Sequence, residues 1–139
     1  MQESAIEITS APLSPESVVS RVRNDRSGCV VVYVGLIREQ SRGKKVLAVE
    51  YEDASGRAAE ELRAVAEEIT QKWPIESIAI SHRVGRLSVG DINLVVAVAA
   101  AHREEGFSAC QHAIDRFKAK LPTRKRETYQ DGSVWAEGN

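Results

Sequence analysis

Cysteine, aromatic residues and long apolar runs are all scarce in this sequence, and each scarcity removes a class of protein. The two cysteines, Cys29 and Cys110, both lie inside apolar segments. That placement favours buried, reduced thiols over a disulfide, as in cytoplasmic proteins. Neither has the neighbouring charge that marks a reactive thiol. No Cys-x-x-Cys pair, His-Glu-x-x-His, P-loop or dinucleotide glycine fingerprint occurs. His82 and His112 are isolated in their neighbourhoods, so no metal is expected, and no organic cofactor either. Seven aromatic residues, mostly in apolar patterns, are too few for the exposed base-stacking sheet of an RNA-binding α/β domain. The longest apolar run, residues 94–101, falls far short of the roughly 20 residues that span a membrane. Met1-Gln2-Glu3-Ser4 lacks the basic and apolar regions of a secretory signal. A formal charge of −1 excludes a surface that is a nucleic-acid footprint throughout, while leaving room for a local basic patch.

What is present describes one α+β domain over residues 1–139, helices against a largely antiparallel sheet. With 42% apolar and 28% charged residues, the chain is an ordinary globular protein able to bury one core. Ile6-Glu7-Ile8 alternates as a short strand. Ser14 and Pro15 form a cap and first helical position, opening a helix to about Asn24. Residues 28–35 are a β-branched run of strand length, expected to be covered on both faces. Residues 38–45 are polar around Gly43 and predict a mobile loop. In the strand 46–51, Val46, Ala48 and Glu50 should face one side and Leu47, Val49 and Tyr51 the other. Residues 57–73 carry apolar positions at helical period, ended by Pro74. Strands follow at 78–82 and 92–100, with apolar anchors around Gly85 and Arg86 between them. A second long helix over 104–121 should bury Phe107, Cys110, Ile114, Phe117 and Leu121 before Pro122 stops it. Asp131-Gly132 between Thr128-Tyr129 and Val134-Trp135 reads as a tight hairpin.

Three basic clusters stand out in this slightly acidic chain. The first is residues 116–126, with six basic residues and no acidic one. A cationic helix end followed by solvated loop charges explains such a run as readily as a site does. Lys118 is the exception, because a helical wheel places it beside the apolar stripe. A lysine amine held at the edge of a core among other cations has its charged form disfavoured and can serve as nucleophile or acid/base. The second cluster is Ala101-His102-Arg103, where the most apolar strand meets a helix amino terminus, a place that commonly holds anions. A histidine there can equally cap the helix. The third is Arg38 with Arg42, Lys44 and Lys45. Together the clusters point to a pocket for a phosphate or carboxylate.

These residues also carry a family resemblance. Val34-Gly35-Leu36-Ile37-Arg38, Val49-Glu50-Tyr51 and the run from His82-Arg83-Val84-Gly85 to Gly90-Asp91 resemble the molybdopterin synthase large subunit. So do Ala101-His102-Arg103, Phe117-Lys118, Pro122, Lys125-Arg126-Glu127 and Trp135-Ala136-Glu137, in order over residues 28–137. The resemblance implies an α/β-hammerhead fold and a sulfurtransferase of molybdenum cofactor biosynthesis. It implies a homodimer carrying a small ubiquitin-like subunit at each end, a heterotetramer. The small subunit's thiocarboxylated Gly-Gly tail would enter the large subunit's pocket. Two sulfurs would pass in succession to cyclic pyranopterin monophosphate, making a dithiolene. By position, Lys118 and Lys125 match the catalytic lysines. Arg38, His102 and Arg103 match the anion-binding residues, with Arg103 one that a neighbouring protomer can supply. The partner's tail is expected in a channel also lined by Arg124 and Arg126. Two departures are the ending Glu137-Gly138-Asn139, where relatives continue with a basic residue, and Arg124 in place of an aromatic. The alternative is a non-catalytic module that grips an acidic or ubiquitin-like partner, for which Lys118 is solvated.

Overall fold

The computed structural model describes residues 3–138. Met1, Gln2 and Asn139, and with them part of the signal-peptide reading and the terminal departure, lie outside the described residues. The elements in chain order are β1 (Glu3–Thr9), α1 (Pro15–Val22), β2 (Cys29–Leu36), β3 (Gln40–Ser41), β4 (Lys44–Glu52), α2 (Ala58–Lys72), β5 (Ser77–Arg83), β6 (Gly85–Leu87), β7 (Ile92–Ala100), α3 (Arg103–Ala119), β8 (Arg124–Tyr129) and β9 (Val134–Glu137). The expected α+β class holds, but the strands form two sheets where one was expected. The first has the order β1-β5-β7-β2, with β1 and β5 parallel and the other pairs antiparallel. The second has the order β3-β4-β8-β9, with β6 on β4.

The first sheet is buried from both sides. Ile78, Ile80, Leu94, Val96 and Val98 face α2 and α3, meeting Leu62, Ile69, Ala109 and Phe117. Ala79, Val95, Ala97 and Ala99 face α1 through Val18 and Val22. The small residues on that side let the two-turn α1 sit close. Ser14 opens α1 by accepting from the Ser17 N–H at 3.3 Å, and the helix stops at Val22, two residues before the expected end. A third core belongs to the second sheet and joins Ile37, Val46, Val49, Tyr51, Leu87 and Tyr129.

Several expectations need correction. β2 is an edge strand, so only one of its faces is covered: Val32, Val34 and Leu36 are exposed. Segment 38–45 is a hairpin, not an open mobile loop. Its turn residues Arg42 (φ 55°) and Gly43 (φ 75°) are both left-handed, the combination that matches the twist of paired strands. The turn is also fastened. The Arg42 guanidinium stacks 3.2 Å from the Trp135 ring centroid, and Lys44 Nζ lies 3.1 Å from Asp131. In β4 a register shift between Val46 and Ala48 breaks the alternation, leaving Val46, Ala48, Val49 and Tyr51 all buried. In α3 the buried stripe is Gly106, Ala109, Cys110, Ala113 and Phe117, and Phe107 is 62% exposed. Gly106 causes this rotation. A Cβ there would come within 3.0 Å of Val31, so α3 packs on β2 through the glycine and turns its neighbour to solvent. Both cysteines are free, as expected, but only Cys110 is buried; Cys29, at the start of the edge strand β2, is half-buried. Burial pushes the Cys110 thiol up to about 11, which keeps it protonated.

Candidate active site

The two sheets and the carboxyl end of α3 enclose a cavity of about 580 Å³. Three cations reach it from distant segments: Arg38 after β2, Lys118 from the last turn of α3, and Lys125 from β8. Strand alternation explains the selection in β8. Lys125, Glu127 and Tyr129 face inward, while Arg124 and Arg126 face the opposite side, opposite Glu52 and Glu50 of β4. Arg124 and Arg126 therefore do not join Lys118 and Lys125 in the cavity. The six-charge run divides between two faces.

Beneath Lys125 lies Glu127, 4% exposed, its carboxylate 3.5 Å from Lys125 Nζ. The Tyr129 hydroxyl donates to it at 2.6 Å and the Ser41 hydroxyl at 2.8 Å. Burial pushes the Glu127 carboxyl up, but the two hydroxyls and the Lys125 ammonium outweigh it and hold the group below its ordinary value. A buried carboxylate thus keeps Lys125 in place. Glu137 of β9, the register partner of Lys125, supplies a second acid at the rim.

Behind the cavity wall sits His82, fully buried, with Tyr51 and Phe117 edge-on at 4.8 and 4.9 Å. Burial pushes the imidazole down to about 4, so it is neutral. Its Nδ1 lies 2.9 Å from the Asn93 carbonyl, which can only accept, so Nδ1 carries the hydrogen. Nε2 then accepts from the Thr123 hydroxyl at 2.9 Å. This link ties β5, β7 and the start of β8 together, and so fixes where Lys125 emerges.

Lys118 is exposed, contrary to its expected place at the edge of the core. It lines the cavity at its mouth. His102 and Arg103 are not in this cavity. They line a separate depression with Gly28, Cys29 and Glu105, at the amino end of α3. His102 occupies the N-cap position without a side-chain capping bond. Seventeen helical residues separate the two ends, about 25 Å at 1.5 Å per residue. Within one chain, therefore, His102 and Arg103 stay apart from Lys118 and Lys125.

Sequence reasoning gave roles to Arg38, Lys118 and Lys125; it named Tyr51, Glu127 and His82 without assigning them a part in the site, and did not name Asn93. The signal for Glu127 was present in the strand period, since residues 125 and 127 share a face. Nothing local in the sequence foretells that Asn93 and Tyr51 meet, because they lie 42 residues apart and on different sheets.

Comparison with known proteins adds to this geometry. The MoaE protein family matches residues 8–120. The molybdopterin synthase catalytic subunit of a Nostoc species is 40% identical over 132 residues, covering 94% of this chain and 80% of that protein. The molybdopterin synthase catalytic subunit of Homo sapiens is 38% identical over 134 residues, covering 96% of this chain and 71% of that protein. Among solved structures, molybdopterin synthase from Staphylococcus aureus superposes with a TM-score of 0.87 at 34% identity, covering 96% of each chain.

Proposed function

This chain belongs to the MoaE protein family, and on that premise we propose that it is the catalytic subunit of a molybdopterin synthase. Its substrate is then cyclic pyranopterin monophosphate, and its sulfur donor the thiocarboxylated Gly-Gly tail of a small ubiquitin-like carrier subunit. The setting is the cytoplasm; no helix among the described residues is long and apolar enough to cross a membrane. The observation that carries the reading is the convergence of Arg38, Lys118 and Lys125 on one cavity, with Glu127 buried beneath Lys125.

Both reactants are anionic, so a cationic cavity binds them and holds them in reacting geometry. Arg38 suits the phosphate, where charge-assisted hydrogen bonds are strong. Lys118 stands at the mouth, where an entering tail meets the bound pterin. There it can pass a proton and stabilise the acyl oxyanion that forms when water adds to the acyl carbonyl of the sulfur-linked tail; collapse of that oxyanion breaks the acyl–sulfur bond, leaving sulfur on the pterin and a carboxylate on the carrier. Lys125, held by Glu127, adds charge from the opposite wall.

His102 and Arg103 complete the site only if a second copy supplies them. β2 suits this role. Its hydrogen-bonding edge is unpaired and one of its faces exposes Val32, Val34 and Leu36, a liability for a chain that stays alone. At one end Cys29 pairs with Ala100, just before His102; at the other Leu36 leads to Arg38. Apposing two β2 edges about a two-fold axis brings the His102–Arg103 end of one copy to the Arg38 end of the other. The resulting homodimer, with a carrier subunit at each end, is a heterotetramer.

The exposure of Lys118 is what a non-catalytic module for an acidic or ubiquitin-like partner would also show. Incubation with the thiocarboxylated carrier and the cyclic pterin separates the two readings. Dithiolene product, detected after oxidation as its fluorescent derivative, is expected. Carrier binding without product would leave the binding module.

A further inference from the structure

Tyr51 and Asn93 are polar side chains of the cavity wall that stand outside its cationic cluster. Tyr51 is 4% exposed, and its hydroxyl oxygen accepts from Asn93 Nδ2 at 3.1 Å. Among the described residues no acceptor takes the Tyr51 hydroxyl proton. Burial, the largest influence, pushes the phenol up to about 12, so it is a donor and not a base at ordinary pH.

The direction of that donor is set by Gly35. Asn93 Oδ1 packs over Gly35 so closely that a Cβ there would lie 2.8 Å from it, and this oxygen has no hydrogen-bond partner. The weakly positive glycine Cα hydrogens favour an oxygen at that spot over an amino group. Nδ2 is left to face Tyr51. A hydroxyl that accepts from Nδ2 must aim its own proton elsewhere. Tyr51 is the cross-strand partner of Lys125, so the phenol stands beside that lysine on the cavity face.

We propose that Tyr51 donates a hydrogen bond to a neutral carbonyl oxygen bound in the cavity, and that Asn93 is the positioning residue that turns the phenol proton toward it. The inference rests on the sulfur-transfer reading and extends it. The lysine ammoniums attract any electron-rich oxygen in the cavity, whereas the phenol adds one donor of fixed direction that engages the carbonyl while it is still neutral. Two carbonyls fit: that of the pterin ring and the acyl carbonyl of the carrier tail.

Two measurements on the complete large subunit distinguish them, the affinity for the cyclic pterin alone and the single-turnover rate of dithiolene formation at saturating pterin and carrier. Tyr51→Phe keeps the ring against His82 and removes only the donor. A loss of about threefold to tenfold is expected in one readout, the value of one neutral hydrogen bond. Weaker pterin binding assigns the bond to the pterin; unchanged binding with slower turnover assigns it to the acyl group. Asn93→Asp should reproduce the loss with the phenol intact, because a carboxylate takes the phenol proton for itself. That loss should reverse as pH falls and the new carboxyl protonates, a dependence absent from Tyr51→Phe. Tyr51→Phe unchanged in both readouts overturns the proposal. So does a double variant that falls further than Tyr51→Phe by the full Asn93→Asp factor. Failure of the unaltered protein to form dithiolene overturns the sulfur-transfer reading and this one with it.

Discussion

At the scale of single residues, exposure separates chemistry from stability. Lys118 is exposed, so truncating it leaves no buried cavity. Lys118→Ala should lower turnover by about 10²- to 10⁴-fold, the usual worth of a positioned acid/base group. Its melting temperature and carrier affinity should stay near wild type, and retention of half the activity would remove Lys118 from the chemistry. Arg38→Ala should instead raise KM in a manner that worsens with salt, since its work is ionic binding. A fall in kcat at unchanged KM would assign Arg38 to the chemical step. His82 shows the opposite balance, buried and structural. Its folded value of about 4 lies below the 6.5 of a free imidazole, so the unfolded chain takes up the proton first. The stability this provides is complete above about pH 6.5, declines as pH falls toward 4, and is level below. The full decline is roughly 3 kcal/mol by linkage. Urea unfolding across that range should show the slope, and His82→Gln should flatten it. The carboxylates held low, Glu7 and Glu127 among them, begin to lose their contribution as pH falls through the ordinary carboxylate value of 4.5, at the acid end of the same range, and continue to lose it below.

At the scale of elements, β2 and the β3–β4 hairpin manage their edges differently. The hairpin is covered, with Arg42 on Trp135 and Ser41 bonded to Glu127, so its position is coupled to the floor beneath Lys125. β2 is left open, with Val32, Val34 and Leu36 exposed, and is the contact of the proposed dimer. Val32 is 38% exposed near the middle of that strand and lies outside the cavity lining. Val32→Asp should therefore leave the fold and the cavity intact while dissociating a dimer, as the two-fold axis sets like charges near one another. Sedimentation or light scattering reads the result. An unchanged mass would mean that β2 is not the contact.

At the scale of the whole molecule, the separation of His102 and Arg103 from Lys118 and Lys125 is the decisive fact. A site shared between copies makes a specific demand. Lys118→Ala and Arg103→Ala should each be impaired alone, yet mixing them after dissociation and reassociation should restore activity. In each mixed dimer one site carries both changes and the other carries neither. Random pairing then returns about a quarter of wild-type turnover. No recovery in demonstrably mixed dimers would confine the site to one chain and leave His102 and Arg103 outside it.

The sequence alone determined what is local or periodic. The helical spacing of Leu62, Ala66 and Ile69, the Ser14–Pro15 start, the Asp131-Gly132 turn and the strand at Ile92–Ala100 each depend on neighbours within a few residues, and each stands in the structure. The order of motifs from Gly35 to Glu137 likewise named the family. Tertiary structure alone decided which faces of β2, α3 and β8 were covered. β2 has apolar residues on both sides, and only its place at the sheet edge bares one of them. Phe107 follows the helical stripe, and only the close approach at Gly106 turns it outward. The basic run 116–126 shows charge without direction. The end of α3 and the pleat of β8 send Lys118 and Lys125 to the cavity and Arg124 and Arg126 away. The hydrogen bond from Asn93 to Tyr51 arises where two sheets meet, and contacts between distant strands leave no period in a sequence.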